Sequence, residues 1–184
     1  MAVELLVLVK HDCETCATLA PALDAAAAAG APVRIMSQSD SEQTAAWARR
    51  LGLAAVPEVD EELRTSERFD PEAVPAVLLL DDGDERDRVE GLQRDRLDEL
   101  FTAAGATLPH AGLPELRPGC ASKTRDPDVA ARLAARRARA EGRIRSRELR
   151  IGALRLRPPR LSGGPRRLAS TAPSCCATPF IASW

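Results

Sequence analysis

The sequence contains no tyrosine, and only three phenylalanines and two tryptophans among 184 residues. A core built on aromatic clusters is thereby excluded. Leu, Val and Ala must supply the buried surface through helices and short covered strands, which favours an α/β design. Lysine is scarce as well: Lys10 and Lys123 are the only two, so 24 of the 26 basic side chains are arginine. With abundant alanine, that bias fits a GC-rich coding sequence and weakens any argument from arginine alone. Long apolar runs are missing too. The N-terminal "AVELLVLV" is short, has no basic residue ahead of it and meets Lys10 and His11 at once, so it reads as neither a secretion signal nor a membrane span. A regular cysteine framework is the last absence. Cys13, Cys16, Cys120, Cys175 and Cys176 are odd in number and unevenly spaced, unlike a small secreted disulfide scaffold. These absences lead us to expect a soluble, cytoplasmic chain in a reducing compartment, with no membrane partner.

The length allows one ordinary domain with an appendage, or two small domains. A formal net charge of −1 conceals a division along the chain. Residues 1 to 116 carry ten basic and 23 acidic side chains, whereas residues 117 to 184 carry 16 basic and four acidic. The apolar patterns follow the same division. Glu4 to Val9 is almost continuous Leu and Val, as in a strand covered on both faces. Leu19, Leu23 and Ala26 recur at helical spacing up to Gly30, and "APVRIMS" predicts a second strand. "SDSEQTAAWARRLG" predicts a capped helix ending at Gly52, with Trp47 packed on its apolar face. "EVDEELRTSERF" predicts a weaker helix with Leu63 and Phe69 directed inward. Val74 to Leu80 and Arg86 to Glu90 flank an Asp-Gly turn suited to a hairpin, and "DRLDELFTAAG" predicts a closing helix. Crossover helices first and a hairpin later imply a mixed four-stranded sheet with helices on both faces. The expected architecture is a three-layer α/β sandwich over residues 1 to 106.

Between the first strand and the first helix lies "HDCETCATLAP", His11 to Pro21. Cys13 would occupy the helix N-terminus, where unpaired N–H groups and the helix dipole favour an anion such as a thiolate. Cys16, one turn deeper, would stand ready to attack a mixed disulfide on Cys13. His11 reads as a loop residue rather than a catalytic base. A structural zinc site needs about four ligands, and only Cys13 and Cys16 have metal-ligand spacing, so no metal and no bound cofactor is expected.

Residues 3 to 104 resemble the thioredoxin-like family, and the likeness extends beyond the cysteine pair. Ala20-Pro21 follows the second cysteine, Val74-Pro75 stands where the family carries its cis-proline, and Gly91 matches a glycine near the end of the next strand. The resemblance implies a thiol-disulfide oxidoreductase or redox-responsive protein. Cys13 would be the attacking thiol, Cys16 the resolving thiol, and Pro75 the residue that shapes the substrate groove; the partner would be a protein disulfide or a thiol reductant. The chain departs from the family pattern at Asp12, which replaces a tryptophan, at Glu14-Thr15, which replaces Gly-Pro, at Val7, which replaces a buried acid, and at Ala76 after the proline. Asp12 and Glu14 are expected to raise the Cys13 pKa by like-charge repulsion and to slow its attack. A non-catalytic adaptor on the same fold stays open as an alternative, because folds do not fix functions.

Prolines and glycines from residue 107 to 126 predict a linker that wraps or extends rather than forming a further sheet. Its stretch 113 to 127, "LPELRPGCASKTRDP", is also similar to one that follows the thioredoxin-like domain in longer bacterial redox proteins. That likeness would make Cys120 a third redox thiol; the bland reading is an isolated loop cysteine. Asp126-Pro127 predicts the start of a basic, solvated helix over residues 127 to 151. Its arginines raise the possibility of a nucleic-acid arm, but no aromatics interleave with them and no binding motif is present, so nucleic acid is not the expected partner. An arm lying on the acidic first domain fits the same charges. Residues 152 to 184 show neither period nor alternation and read as a disordered or out-of-frame tail, with Cys175 and Cys176 carrying no function. The oligomeric state is open.

Overall fold

The computed structural model describes residues 3 to 155, with side chains through Arg145. The remainder of the expected tail, including Cys175 and Cys176, lies outside the described residues. Two compact units divide the chain, residues 1–142 and 143–184. All that follows concerns the first, apart from the end of one helix.

The order of elements is β1 (Val3–Val9), α1 (Glu14–Ala28), β2 (Val33–Ser37), α2 (Ser41–Leu51) and β3 (Glu58–Val59). A short 3-10 turn then leads to α3 (Arg64–Phe69), followed by β4 (Ala73–Val74), β5 (Ala76–Asp81), β6 (Asp84–Glu90), β7 (Leu92–Gln93) and α4 (Arg94–Ala103). Beyond these come β8 (Leu116–Arg117), β9 (Cys120–Ala121) and α5 (Pro127–Arg155). The main sheet is mixed, in the order β3-β2-β1-β5-β6. β1 runs parallel to β2 and antiparallel to β5, with Leu6 opposite Arg34 on one side and Leu78 on the other. Leu5 to Val9 are all fully buried, so both faces of this central strand are covered, as its unbroken apolar sequence requires. The core is mainly aliphatic, as expected from the scarcity of aromatics: Leu19, Leu23, Val77, Leu78, Leu97 and Leu100 surround β1 and β5, and Trp47, Phe69 and Phe101 add three rings.

Local chemistry explains the element boundaries. The Asp40 carboxylate accepts from the Gln43 backbone N–H at 2.8 Å and caps α2, which Gly52 closes in the left-handed region at φ 67°. Asp82 and Gly83 both take positive φ, 51° and 85°, the geometry that joins β5 to β6 in a tight hairpin.

Three expectations change. The sheet has five strands rather than four, because Glu58 and Val59 pair with Met36 and Ser37 instead of opening a helix. Helix α3 begins only at Arg64, where the buried Asp60 carboxylate accepts from the N–H groups of Thr65 and Ser66 at 2.8 and 2.7 Å. The strand expected from Val74 to Leu80 is also broken. Pro75, joined to Val74 by a cis peptide bond, has no N–H to offer a ladder; β4 lies outside the main sheet and β5 starts at Ala76.

The segment after α4, expected to wrap or extend without forming a further sheet, wraps the domain but also pairs with it in two short ladders. β8 lies antiparallel to β7, with Leu92 opposite Arg117, and β9 lies antiparallel to β4, with Val74 opposite Cys120. Leu108 and Leu113 are buried and hold the start of the wrap. The Asp126 carboxylate accepts from the Asp128 and Val129 N–H groups at the start of α5, and Leu133 is the buried side chain among the described residues of that helix.

Candidate active site

Cys13 is the N-cap residue of α1: its backbone is extended, and its sulfur accepts from the Cys16 backbone N–H at 3.3 Å. The same sulfur donates to the Val74 carbonyl at 3.3 Å when protonated. Cys13 thus lies between the first turn of α1 and the residue before Pro75. Cys16 is fully buried one turn further along the helix, and Pro21 sits inside α1. The third cysteine reaches the site from the wrapping segment. In the β4–β9 ladder Cys120 stands opposite Val74, the residue whose carbonyl lies 3.3 Å from the Cys13 sulfur. Cys13, Cys16 and Cys120 are all free thiols. Of the residues singled out in the sequence, Cys13, Cys16, Pro75 and Cys120 therefore converge. His11 does not join them; its ring Nδ1 lies 2.8 Å from Ser39 Oγ. Trp47 packs in the core at 2 % exposure.

The three sulfurs differ in acidity. The Cys16 thiol, hydrogen-bonded to Cys13, is the largest cause that brings Cys13 down from 9.0 to about 5; burial opposes it, and the Cys120 thiol adds to the lowering. A hydrogen bond to the charged form favours that form. Burial pushes Cys16 well above the ordinary thiol range, with the adjacent Cys13 adding to the rise. Cys120 is also raised, first by burial and then by Cys13. The expectation that Asp12 and Glu14 would push Cys13 upward is therefore overturned. Both carboxylates have partners, Asp12 lying 3.8 Å from Lys10 Nζ and Glu14 pairing with Arg117, so little of their charge acts on the sulfur. The departure at Val7 has a structural counterpart: that side chain is fully buried in the apolar core and offers no proton acceptor.

Sequence reasoning missed the residues that bind the wrap to the site. Thr15 Oγ1, between the two cysteines, donates to the Pro118 carbonyl at 2.6 Å. Arg117 donates to Thr18 Oγ1 at 2.9 Å as well as pairing with Glu14, which anchors it along the first turns of α1. On the far side of Cys120, the buried Gln38 amide donates to Ser122 Oγ at 2.8 Å and accepts from the Lys123 N–H at 2.9 Å. Two glycines permit the close approach. A Cβ at Gly91, whose φ is 78°, would come within 2.9 Å of Gly119 N, and one at Gly119 would come within 2.9 Å of the Val74 carbonyl oxygen. The only sequence signal for this arrangement is "RPGC" itself, a glycine directly before a cysteine in a turn.

Among the described residues, no three His, Cys, Asp or Glu side chains are arranged to hold a metal ion. Nor is any described helix long and apolar enough to cross a membrane. No protein-family model and no curated protein matches the sequence. Solved structures similar to the chain include a secreted Mycobacterium tuberculosis disulfide oxidoreductase homologous to E. coli DsbE, at 19 % identity and a TM-score of 0.44, covering 55 % of this chain and 81 % of that one. StoA from Bacillus subtilis is similar at 15 % identity and a TM-score of 0.44, over 53 % of this chain and 81 % of its own. MTB dsbF, in mixed oxidized and reduced forms, is similar at 20 % identity and a TM-score of 0.46, over 55 % and 80 %. With β1 central in a mixed sheet, α1 opening on Cys13 and a cis-proline preceding β5, residues 3 to 104 form a thioredoxin-fold domain.

Proposed function

We propose that the protein is a thiol-disulfide oxidoreductase that cycles Cys13 and Cys16 between dithiol and disulfide, with no bound cofactor. One observation carries this reading: a sulfur at a helix N-cap whose pKa is drawn down to about 5, one turn from a second sulfur held protonated by burial. At neutral pH such a pair is one nucleophile and one reserve thiol. The Cys13 thiolate attacks one sulfur of a partner's disulfide, and the other partner sulfur leaves as a thiolate and takes a proton. Cys16 then loses its proton to water and attacks Cys13 Sγ, displacing the second partner sulfur. The partner gains two electrons and Cys13–Cys16 becomes a disulfide. Run backwards, the same steps oxidise a partner dithiol. The odd cysteine set supports action in a reducing compartment such as the cytoplasm.

Alkylation with mass measurement across a series of glutathione redox buffers tests the couple. The expected result is an intramolecular bridge between Cys13 and Cys16 that appears at one poise and is lost in Cys13→Ser; no such bridge at any poise overturns the reading. A non-catalytic binding module draws on a different observation, the 1 % exposure of Cys13. On that reading the Cys13→Ser, Cys16→Ser double variant keeps its partner. A Cys16→Ser, Cys120→Ser trap separates the two, because with no second thiol left to displace it only an oxidoreductase leaves the partner covalently bound to Cys13.

A further inference from the structure

The residue that should meet a partner's sulfur is covered: Cys13 is 1 % exposed, and the chain's own segment 117 to 121 is held beside it, Pro118 against Thr15 and Cys120 against Val74. That segment is held as an added strand. Ala121 pairs with Ala73 and Cys120 with Val74, so the backbone edge beside the cis-proline, where an extended peptide could dock by strand addition, is already taken. The docked segment itself presents a cysteine. Cys120 lies opposite the residue whose carbonyl is 3.3 Å from Cys13 Sγ, and its neighbours are pinned on both sides, Pro118 by Thr15 and Ser122 by Gln38. A tight Arg-Pro-Gly turn threaded between Gly91 and Val74 is more construction than a loop needs merely to cross the surface.

Building on the oxidoreductase reading, we propose that the 117–121 segment is a resident substrate strand and that Cys120 is the first exchange partner of Cys13, with which it forms a disulfide. The exchange needs no added oxidant or reductant. Starting from the Cys13–Cys16 disulfide, the Cys120 thiol gives up its proton and its sulfur attacks Cys13 Sγ. The Cys13–Cys16 bond breaks, and Cys16 leaves as a thiolate that takes up a proton. One disulfide and one thiol stand on each side, and Cys13 is the shared sulfur. The strap then carries the oxidising equivalents outward from buried Cys16 to the half-buried Cys120, where a second thiol can collect them.

The full chain carrying Cys16→Ser and the full chain carrying Cys120→Ser, each treated with oxidised glutathione, alkylated and mapped by peptide mass without reduction, decide the matter. In Cys16→Ser, Cys120 should displace glutathione from Cys13. On the order of ten-fold more Cys13–Cys120 bridge than glutathione adduct is expected, because a tethered thiol competes at a high effective concentration. Glutathione retained on Cys13 with Cys120 still alkylated overturns the proposal. The Cys120→Ser arm reads the couple separately. A Cys13–Cys16 bridge there, alongside a failed Cys16→Ser arm, removes the strap's role and leaves the oxidoreductase standing; loss of that bridge strikes the couple instead.

Discussion

At the scale of single residues, the site sets three chemically identical groups in three environments. Each is distinguished by what its sulfur touches rather than by its neighbours in sequence. Cys13 gains its acidity first from the Cys16 thiol and less from the Cys120 thiol, with burial working against both. This order makes a graded prediction. In the reduced protein the Cys13 thiolate, followed by its ultraviolet absorbance, should titrate with a midpoint near 5. Cys16→Ala should raise that midpoint most and Cys120→Ala less, because each removes one donor. A midpoint unmoved by Cys16→Ala would show that the helix N-terminus alone sets the acidity. The sign for stability follows from the depressed value. The ionised, hydrogen-bonded thiolate stabilises the reduced fold fully above the unfolded thiol pKa, and that contribution is lost as pH falls through about 5. The reduced protein should therefore lose thermal stability between neutral pH and pH 5 by more than Cys13→Ala does, as differential scanning calorimetry would read.

At the scale of elements, the wrap depends on glycine at two points of contact. Gly119→Ala would drive a Cβ to 2.9 Å from the Val74 carbonyl oxygen and 3.0 Å from the Ala73 Cβ, and neither neighbour can yield, since both belong to β4. Overpacking of this kind costs about 1–3 kcal/mol. The strap should lift while the domain core, which does not include residue 119, stays folded. The expected reading is Cys13 alkylation about ten-fold or more faster in Gly119→Ala, with an unchanged core melting transition; an unchanged alkylation rate would mean that the strap does not shield Cys13. The strap also marks the limit of what the sequence made legible. Cysteine spacing, Ala20-Pro21, Val74-Pro75 and the periodic helices are local signals, and they located β1, α1, α2, the β5–β6 hairpin and α4, together with the candidates Cys13, Cys16 and Pro75; Cys120 entered only through the likeness of residues 113 to 127. The pairing of 116–121 with 73–74 and 92–93 joins segments with no period and only two residues per strand. Neither propensity nor alternation can encode a ladder that short. The same non-local contacts explain the misjudged acidity: nothing near Glu14 in sequence reveals that Arg117 will neutralise it.

At the scale of the whole molecule, the acidic first part and the basic segment after it meet as opposite charges within residues 1 to 142. Arg125 pairs with Asp70 and Glu72, each at 3.0 Å, Arg136 pairs with Glu62 and Glu67, and Arg137 also pairs with Glu67. These three arginines are thus engaged by the chain's own carboxylates. The Glu67 side chain is the least exposed acid among these pairs, at 16 %. Arg136, its first hydrogen-bond donor, holds its carboxyl below the usual carboxylate range, with Arg137 adding to the effect and burial opposing. Because the docked value is the lowered one, these pairs hold the start of α5 in place above the ordinary glutamate pKa of about 4.3, and their hold is lost as pH falls through the depressed value. Hydrogen exchange in residues 127–142, corrected for its intrinsic pH dependence, should therefore accelerate as pH drops below about 4 while β1 and β5 stay protected. Exposed pairs are individually weak, so Glu67→Gln at neutral pH should lower that protection only about two- to five-fold, and 1 M salt should do much the same. Leu133→Ala, which removes the buried apolar contact of the same helix, should lower it further than either. If Glu67→Gln proved the larger loss, charge rather than burial would be what fastens α5 to the domain.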